Sequence, residues 1–270
     1  MAKQPTAYYR PNNLSDALRL LQQANTVPLA GGSKLLAADI TDAVVDLQEL
    51  GLNQTVVADD QLKVGATMTL AALTAVLQEE AAPTPAPLLL KAIHQAGPNT
   101  YRNAATLGGS IASRLADSEL LAALLVLDAT LVLNTPDTVQ MSLADYLGAA
   151  ERPFGLITAI TIPWQTGRFA SERVARTPGD YPIVSVTLWQ ADGASANLAA
   201  TGIAARPIRL HEAEKALVAG VDGVDDSSVE TAVAAAKAQC THPGDFRGDT
   251  SYRADMVAVL TRRVVATAYV

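Results

Sequence analysis

The sequence predicts an α+β fold, in which helices and strands are gathered into separate lobes instead of alternating as a regular βαβ repeat. Two observations carry this prediction. The first 165 residues mix helical and strand patterns around two Gly-Gly loops, and they divide at about residue 55 into a small and a larger lobe. Residues 166–270 instead show three consecutive strand patterns followed by three helical patterns, which is typical of a separate, smaller domain.

The first lobe, residues 1–55, combines one helix with two short strands. Apolar residues recur at helical spacing from Leu14 to Leu21, and Ser15 can cap that helix. A strand pattern from Val27 to Ala30 runs directly into the first Gly-Gly loop, and a second covers Val44 to Leu47. We therefore expect a small α/β lobe in which a strand ends at a glycine loop.

The second lobe, residues 56–165, begins with a hairpin. Strand patterns lie on both sides of the pair Asp59-Asp60, and two acidic residues suit a tight turn. Thr69 can cap the helix that follows. A proline-rich stretch at 82–87 then separates this helix from a second one that ends near Gln95.

After the second Gly-Gly loop, the lobe continues with a helix and three strands. The continuous apolar run from Leu120 to Leu127 predicts a buried helix. Ser142 and Asp145 have the spacing of a capping box at the start of a further helix. Strand patterns are found at 130–133, 139–141 and 157–162.

The smaller domain follows a linker at 163–167. Turn signals at Gly179-Asp180 and Gly193-Ala194 separate three strand patterns, which predict a three-stranded antiparallel sheet. A helix bundle is expected after this sheet. The strand patterns lie at 169–176, 183–190 and 195–201, and the helical patterns lie near 210–219, 227–240 and 250–268.

Composition excludes several classes of function. The net charge is −7 and no basic stripe occurs, so nucleic acid is not an expected partner. No apolar run approaches the about 20 residues that span a bilayer, and the N-terminus lacks a signal-peptide core. The single Cys240 rules out an internal disulfide, and we expect a cytoplasmic protein. One cysteine also cannot hold an iron–sulfur cluster, and the three histidines form no ligand-spaced pair.

The two glycine loops are the strongest indication of function. They read Ala30-Gly31-Gly32-Ser33 and Thr106-Leu107-Gly108-Gly109-Ser110. Paired glycines allow positive φ, so successive N–H groups can point into one concavity and hold an anion. Two such loops can close on one pyrophosphate, although each alone is also an ordinary tight turn. Neither loop has the spacing of a Walker or dinucleotide motif.

The segment from Asn99 to Ala112, which includes Tyr101-Arg102-Asn103 and the second loop, resembles the Gln-Ile-Arg-Asn-x-Ala-Thr-Ile-Gly-Gly-Asn-Ile-Ala segment of molybdenum hydroxylases. The first loop, Leu29 to Leu36, is similar to the other flavin loop of their FAD-binding medium subunit. Shorter matches are Tyr9-Arg10-Pro11, Gly65-Ala66-Thr67, Gly179-Asp180-Tyr181 and Tyr252 to Arg263. The resemblance is to the carbon monoxide dehydrogenase and xanthine dehydrogenase type of subunit.

This resemblance implies a two-lobed FAD-binding domain of the PCMH/vanillyl-alcohol-oxidase type over residues 1–165, and the medium subunit's C-terminal domain over 166–270. It implies noncovalent FAD and no catalytic side chain in this chain. Electrons would pass from the iron–sulfur clusters of a small subunit, through FAD, to an external acceptor. The substrate would be oxidised at the molybdenum cofactor of a large subunit in a hetero-oligomer. The alternative is a non-catalytic assembly module of the same fold that has lost FAD.

The resemblance also implies which residues contact FAD. They lie in both glycine loops, in the segments that flank the second loop and on the Gly-Asp-Tyr loop. The candidates are Ala30, Gly31, Gly32, Ser33, Lys34, Leu35, Asn103, Thr106, Leu107, Gly108, Gly109, Ser110, Asp117, Glu119 and Tyr181.

Three of these candidates have alternatives. Without a gap, Glu119 aligns with a family Asp that contacts the adenosine part of FAD, and a two-residue shift gives that position to Asp117. Both acids also begin a helix, where they can cap it or complement its dipole without any ligand. Tyr181 can stack on the isoalloxazine ring or pack at a hinge. Ser110 stands where the family usually has Asn.

Overall fold

The computed structural model describes residues 4–37, 40–79, 85–135, 137–217 and 225–269. The strands are β1 (Tyr8–Tyr9), β2 (Thr26–Leu29), β3 (Ala43–Asp46), β4 (Thr55–Ala58), β5 (Gln61–Gly65), β6 (Thr130–Asn134), β7 (Thr138–Ser142), β8 (Leu156–Pro163), β9 (Gly167–Val174), β10 (Val184–Ala191), β11 (Asn197–Thr201) and β12 (Ile208–Arg209). The α-helices are α1 (Leu14–Leu21), α2 (Leu70–Glu79), α3 (Ala86–Gln95), α4 (Asn99–Ala104), α5 (Leu107–Ser113), α6 (Glu119–Val126), α7 (Leu143–Gly148), α8 (His211–Ala216), α9 (Asp226–Ala238) and α10 (Thr250–Tyr269).

The first lobe is built on a parallel sheet with the strand order β1-β3-β2. Helix α1 packs on this sheet, and Ala17 is fully buried. The predicted cap of α1 is wrong, because Asn13 rather than Ser15 accepts a hydrogen bond from the Asp16 amide (2.9 Å). Asn13 has the extended backbone that a capping residue needs, whereas Ser15 already lies inside the first turn. Strand β2 leads directly into the first glycine loop.

The second lobe contains an antiparallel sheet with the order β4-β5-β8-β6-β7. The predicted hairpin is present, and both turn residues, Asp59 and Asp60, have positive φ (51° and 55°), as a type I′ turn requires. Helix α6 is buried along its whole length, because it packs between α3 and strands β10 and β11 of the next sheet. Its all-apolar sequence follows from having no face exposed to water. The Thr69 cap of α2 is also present, since Thr69 Oγ1 accepts from the Ala72 amide (3.1 Å).

The sheet of the C-terminal part was predicted with three strands, and the structure has four. Its order is β12-β11-β10-β9, all antiparallel. The extra strand β12 has two residues, which is too short to show an alternating pattern in the sequence. Helices α9 and α10 pack on this sheet and on each other, and Arg262 of α10 forms a salt bridge with Glu230 of α9 (2.8 Å). The mixed helix and sheet architecture is confirmed.

Some predictions lie outside the described residues. They concern residues 82–84 of the proline-rich stretch and the end of the helix near 210–219 beyond residue 217. Within the described ranges, no helix is both long enough and apolar enough to cross a bilayer. The same residues contain no group of three or more histidine, cysteine or acidic side chains that could hold a metal ion.

Candidate functional site

The two glycine loops meet in one cleft between the first lobe and the second lobe. The cleft has a volume of about 410 Å³, which is within the usual range for small-molecule sites. Residues from both loops line it, together with further residues of the second lobe such as Tyr146 and Leu156. Two loops that are far apart in the sequence therefore border the same space.

Direct contact between the loops requires glycine at position 31. A Cβ atom built on Gly31 would lie 1.7 Å from the carbonyl oxygen of Ala104, just before the second loop. Gly108 is similarly confined, since its Cβ would lie 2.8 Å from the carbonyl oxygen of Ala66. No side chain fits in either space, so these glycines allow the backbones of neighbouring segments to touch.

Only one of the four loop glycines has a positive φ. Gly32 has φ of +68°, whereas Gly31, Gly108 and Gly109 do not. The second loop therefore does not use the positive φ that its glycines allow. Its glycines instead form the first turn of α5, which Thr106 caps by accepting a hydrogen bond from the Gly109 amide (3.1 Å).

The backbone amides of the second loop are already used within the protein. The Leu107 and Gly108 amides donate to the carbonyls of Met68 and Ala66 (both 2.9 Å), and the Ser110 amide donates to Thr106 (2.9 Å). The expectation that these amides are free to hold phosphate is therefore wrong.

The first loop differs, because its amides remain available. Gly32 accepts from the Leu36 amide (2.9 Å), but the amides of residues 31–35 donate to no acceptor among the described residues. The second loop can offer a side chain instead, since the buried Ser110 hydroxyl has no partner. Amides from one loop and a hydroxyl from the other can therefore face an anionic ligand.

Two cationic side chains line the cleft, Lys34 and Arg152. The ammonium group of Lys34 lies 5.5 Å from the ring centre of Tyr101 and 5.6 Å from that of Tyr181. These are cation–π distances. Lys34 therefore joins the first glycine loop to α4 and to the Gly-Asp-Tyr loop, and it places positive charge beside the cleft.

A second, much smaller cavity adjoins the cleft. Its volume is about 20 Å³, and Asp117, Glu119 and Tyr181 line it. Tyr101, Ser110 and Ser113 line both spaces, so they form the wall between them. Three of the predicted site residues thus border the small cavity instead of the main cleft.

Glu119 is buried, with 5% of its surface exposed. The guanidinium of Arg173 lies 3.2 Å from Glu119 Oε2, but it is not aligned for a hydrogen bond, and both carboxyl oxygens lack hydrogen-bond partners. Burial raises the pKa of Glu119 to about 7, against the opposing attraction of Arg173. Ser118, and neither acid, caps α6, but Glu119 does lie in the first turn of this helix, where an ionised carboxyl complements the helix dipole.

Asp117 is held by a different arginine. Its carboxylate accepts from Arg247 (3.0 Å). Arg247 also pairs with Asp245 (3.1 Å), which in turn accepts from the fully buried Arg253 (2.6 Å). Arg253 also donates to the Ile183 carbonyl (2.6 Å). This network anchors the backbone two residues beyond Tyr181.

Most of the predicted site residues do come together, and some do not. Asn103 is exposed and Leu107 is buried beneath the loop, and neither lines the cleft. Sequence reasoning missed Thr67, Tyr101, Tyr146 and Arg152 as cleft residues. The Gly65-Ala66-Thr67 match could have indicated the first of these. The candidate residues that line the cleft are Ala30, Gly31, Gly32, Ser33, Lys34, Leu35, Thr106, Gly108, Gly109 and Ser110.

Comparisons with known proteins match both parts of this chain to families of flavoproteins. Residues 3–165 match the family described as FAD binding domain in molybdopterin dehydrogenase, and residues 170–268 match the CO dehydrogenase flavoprotein C-terminal domain. Protein YgfM of Escherichia coli (strain K12) is 32% identical over 267 residues, which cover 96% of this chain and 95% of that protein.

Two further relatives carry names that describe an activity. The glyceraldehyde dehydrogenase medium chain of Sulfolobus acidocaldarius is 29% identical, with 95% of this chain and 96% of that protein covered. A chain of the reconstituted CO dehydrogenase from Oligotropha carboxidovorans superimposes with a TM-score of 0.87 at 28% identity, covering 100% of this chain and 99% of that one.

These matches define a flavoprotein subunit of an oxidoreductase. The chain belongs to the family of FAD-binding subunits of molybdenum-dependent dehydrogenases, of the CO dehydrogenase medium-subunit type. Its cofactor is FAD.

Proposed function

We propose that this chain is the electron-transfer subunit of a molybdenum hydroxylase complex, in which FAD receives electrons from iron–sulfur clusters of a small subunit and passes them to an external acceptor. A large subunit carries the molybdenum cofactor and oxidises the substrate. The observation that supports this proposal is the single cleft in which both glycine loops meet. Because Cys240 is the single cysteine of this chain, the iron–sulfur clusters belong to another chain.

The cleft residues fit FAD in chemistry and in shape. Gly31 leaves space that any Cβ would fill, the amides of residues 31–35 are available as donors, and the Ser110 hydroxyl is buried without a partner. We assign the pyrophosphate to Gly31, Gly32 and Ser33, with Ser110 facing them. Bound FAD supplies the electron-transfer chemistry, while these residues bind it and fix its position.

The geometry around this cleft supports the remaining assignments. Lys34 supplies positive charge beside the anionic cofactor and connects the rings of Tyr101 and Tyr181. Tyr181 is 39% exposed, so its ring can cover one side of the flavin. We place the boundary between the FAD-binding domain and the C-terminal domain at residue 165, in the short connection between β8 and β9.

A matched pair of glycine variants tests the cofactor site. Gly32 (φ +68°) and Gly193 (φ +71°) have the same strained backbone, but a Cβ at Gly193 meets nothing and lies outside the cleft. Either change to alanine costs about 1 kcal/mol of stability. We expect Gly32→Ala to weaken FAD binding at least about tenfold, whereas Gly193→Ala binds like the parent. Calorimetric titration of the FAD-free chain with FAD measures both affinities.

The outcomes separate the proposed function from its alternative. If the parent chain takes up no FAD, alone or in the assembled complex, the protein is an assembly module. If Gly32→Ala and Gly193→Ala bind FAD equally well, the first loop is only a turn. Stopped-flow reduction of the FAD-loaded chain tests the electron donor. Rapid reduction by an organic substrate without any other subunit would contradict the subunit role.

A further inference from the structure

One connection of the second lobe borders the cofactor cleft and is held by an arginine from the C-terminal part of the chain. It joins α7 to β8 over residues 149–155, and its Arg152 lines the cleft. Arg206, which lies between β11 and β12, donates to the carbonyl of Leu147 at the end of α7 (2.7 Å) and to that of Ala150 in the connection (2.9 Å). A side chain from outside the second lobe therefore fixes the connection that carries Arg152.

A second arginine contacts the same segment from the helix of the second glycine loop. Arg114, at the end of α5, donates to the Leu147 carbonyl (2.8 Å), and Arg114 and Arg206 both donate to the Ala149 carbonyl. Carbonyls at the end of a helix have no partner within the helix and carry partial negative charge, so guanidinium groups suit them. Because one guanidinium can donate to several carbonyls at once, Arg114 and Arg206 form a clamp on the connection, which we call the arginine clamp.

The arginine clamp and Arg152 form a group of positive charges without acidic partners. Burial lowers the pKa of Arg114, and the charges of Arg206 and Arg152 lower it further, so the three guanidinium groups lie near one another. Within the described ranges none of the three forms a salt bridge, although the chain has 27 acidic residues against 20 lysines and arginines. A cleft bordered by uncompensated positive charge attracts an anion, and FAD is anionic through its pyrophosphate.

We propose that Arg152 binds the anionic part of the cofactor and that Arg206 is a positioning residue, which holds Arg152 at the cleft through the connection between α7 and β8. Arg152 lines the cleft and donates to no acceptor among the described residues, so its N–H groups are available to a ligand. Arg206 does not line the cleft, and its donors are engaged with backbone carbonyls. This proposal rests on the proposed function, because it takes FAD as the occupant of the cleft. It makes FAD affinity depend on the C-terminal part of the chain.

Calorimetric titration of the full-length, FAD-free chain with FAD, at low and at high salt, tests both roles. Arg206→Lys keeps the charge but loses the planar fork that spans several carbonyls. Arg152→Met removes the cation that lines the cleft. The matched control is Arg209→Lys. Arg209 of β12 also donates to a carbonyl of the second lobe, that of Leu125 (3.1 Å), but neither Arg209 nor Leu125 lines the cleft or the small cavity.

We expect Arg206→Lys and Arg152→Met each to bind FAD at least about tenfold more weakly than the parent at low salt, because a hydrogen bond between charged groups contributes at least this much. Both affinities should depend less on salt than that of the parent, since each variant loses the Arg152 contact. The double variant Arg152→Met/Arg206→Lys should bind FAD as tightly as Arg152→Met alone, because Arg206 acts through Arg152. Arg209→Lys should bind FAD like the parent.

Three results would overturn the positioning role while leaving the proposed function intact. They are parent-like FAD affinity in Arg206→Lys, an equal loss of affinity in Arg209→Lys, and losses that add in the double variant. Arg152→Met leaves the arginine clamp unaltered, so unchanged FAD affinity in this variant would overturn the proposal even where a change at Arg206 prevents folding. A parent chain that takes up no FAD would refute both this proposal and the proposed function.

Discussion

Replacing Glu119 by glutamine should change how the stability of the protein depends on pH. In the unfolded chain this carboxyl ionises near the ordinary glutamate pKa of 4.5, whereas in the folded protein burial raises the pKa to about 7. Between these values the unfolded chain releases the proton and the folded protein keeps it. The contribution of Glu119 to stability is therefore complete below about pH 4.5 and is lost as the pH rises through about 7.

The size of the effect follows from the two pKa values. Each pKa unit corresponds to about 1.4 kcal/mol, so the loss between the two values amounts to about 3 kcal/mol. Glutamine has the same shape and does not titrate. Relative to the parent, Glu119→Gln should therefore gain about 3 kcal/mol in unfolding free energy between about pH 4 and about pH 8.

Urea denaturation at a series of pH values, followed by the fluorescence of the buried Trp164 and Trp189, measures this difference. The pH dependence that other titratable groups contribute cancels in this difference, because the parent and Glu119→Gln share those groups. Asp245 is an example, since hydrogen bonds from Arg247 and Arg253 hold its pKa well below the usual range although burial alone would raise it. A stability difference that stays constant over this pH range would refute the burial argument.

Two further predictions concern other parts of the site. Arg253→Met should cost about 3–5 kcal/mol of unfolding free energy, because the buried guanidinium donates to Ile183, Gly202 and Asp245; a loss under about 1 kcal/mol in urea denaturation would contradict this. Lys34→Met should lower FAD affinity about tenfold in calorimetry at low salt and less at high salt, because it removes a cation beside an anionic cofactor. An unchanged affinity at low salt would show that Lys34 acts only on the tyrosine rings.

Local chemistry accounts for the parts of the fold that the sequence predicted well. The turn at Asp59-Asp60, the cap at Thr69 and the buried run of α6 each depend on neighbouring residues, and all three are present. The fourth strand, β12, was missed because two residues are too few to show the alternation of apolar and polar side chains that predicts a strand. The Asn13 cap was missed because two polar residues near one helix start compete, and only backbone conformation decides between them.

The predictions for the candidate site also divide into those that the sequence supported and those that depend on tertiary packing. Resemblance identified both glycine loops, and the structure brings them into one cleft. It could not show that the amides of the second loop are already paired, since Met68 and Ala66 accept them from a distant segment. Nor could it show the small cavity, because the pairing of Glu119 with Arg173 joins α6 to β9. Such contacts depend on tertiary packing, which local sequence patterns do not contain.

Two departures from the family's second-loop pattern lie on the same cavity wall, which argues that they act together. Ser110 stands in place of the usual Asn and is shorter. In the alignment without a gap, Glu119 stands in place of the usual Asp and is longer. Ser110 lines both the cleft and the small cavity, and the carboxyl of Glu119 lies 3.2 Å from the guanidinium of Arg173. Double-mutant analysis of Ser110→Asn and Glu119→Asp can measure the coupling. If the two positions compensate for each other, the double variant should be more stable than the sum of the single changes predicts.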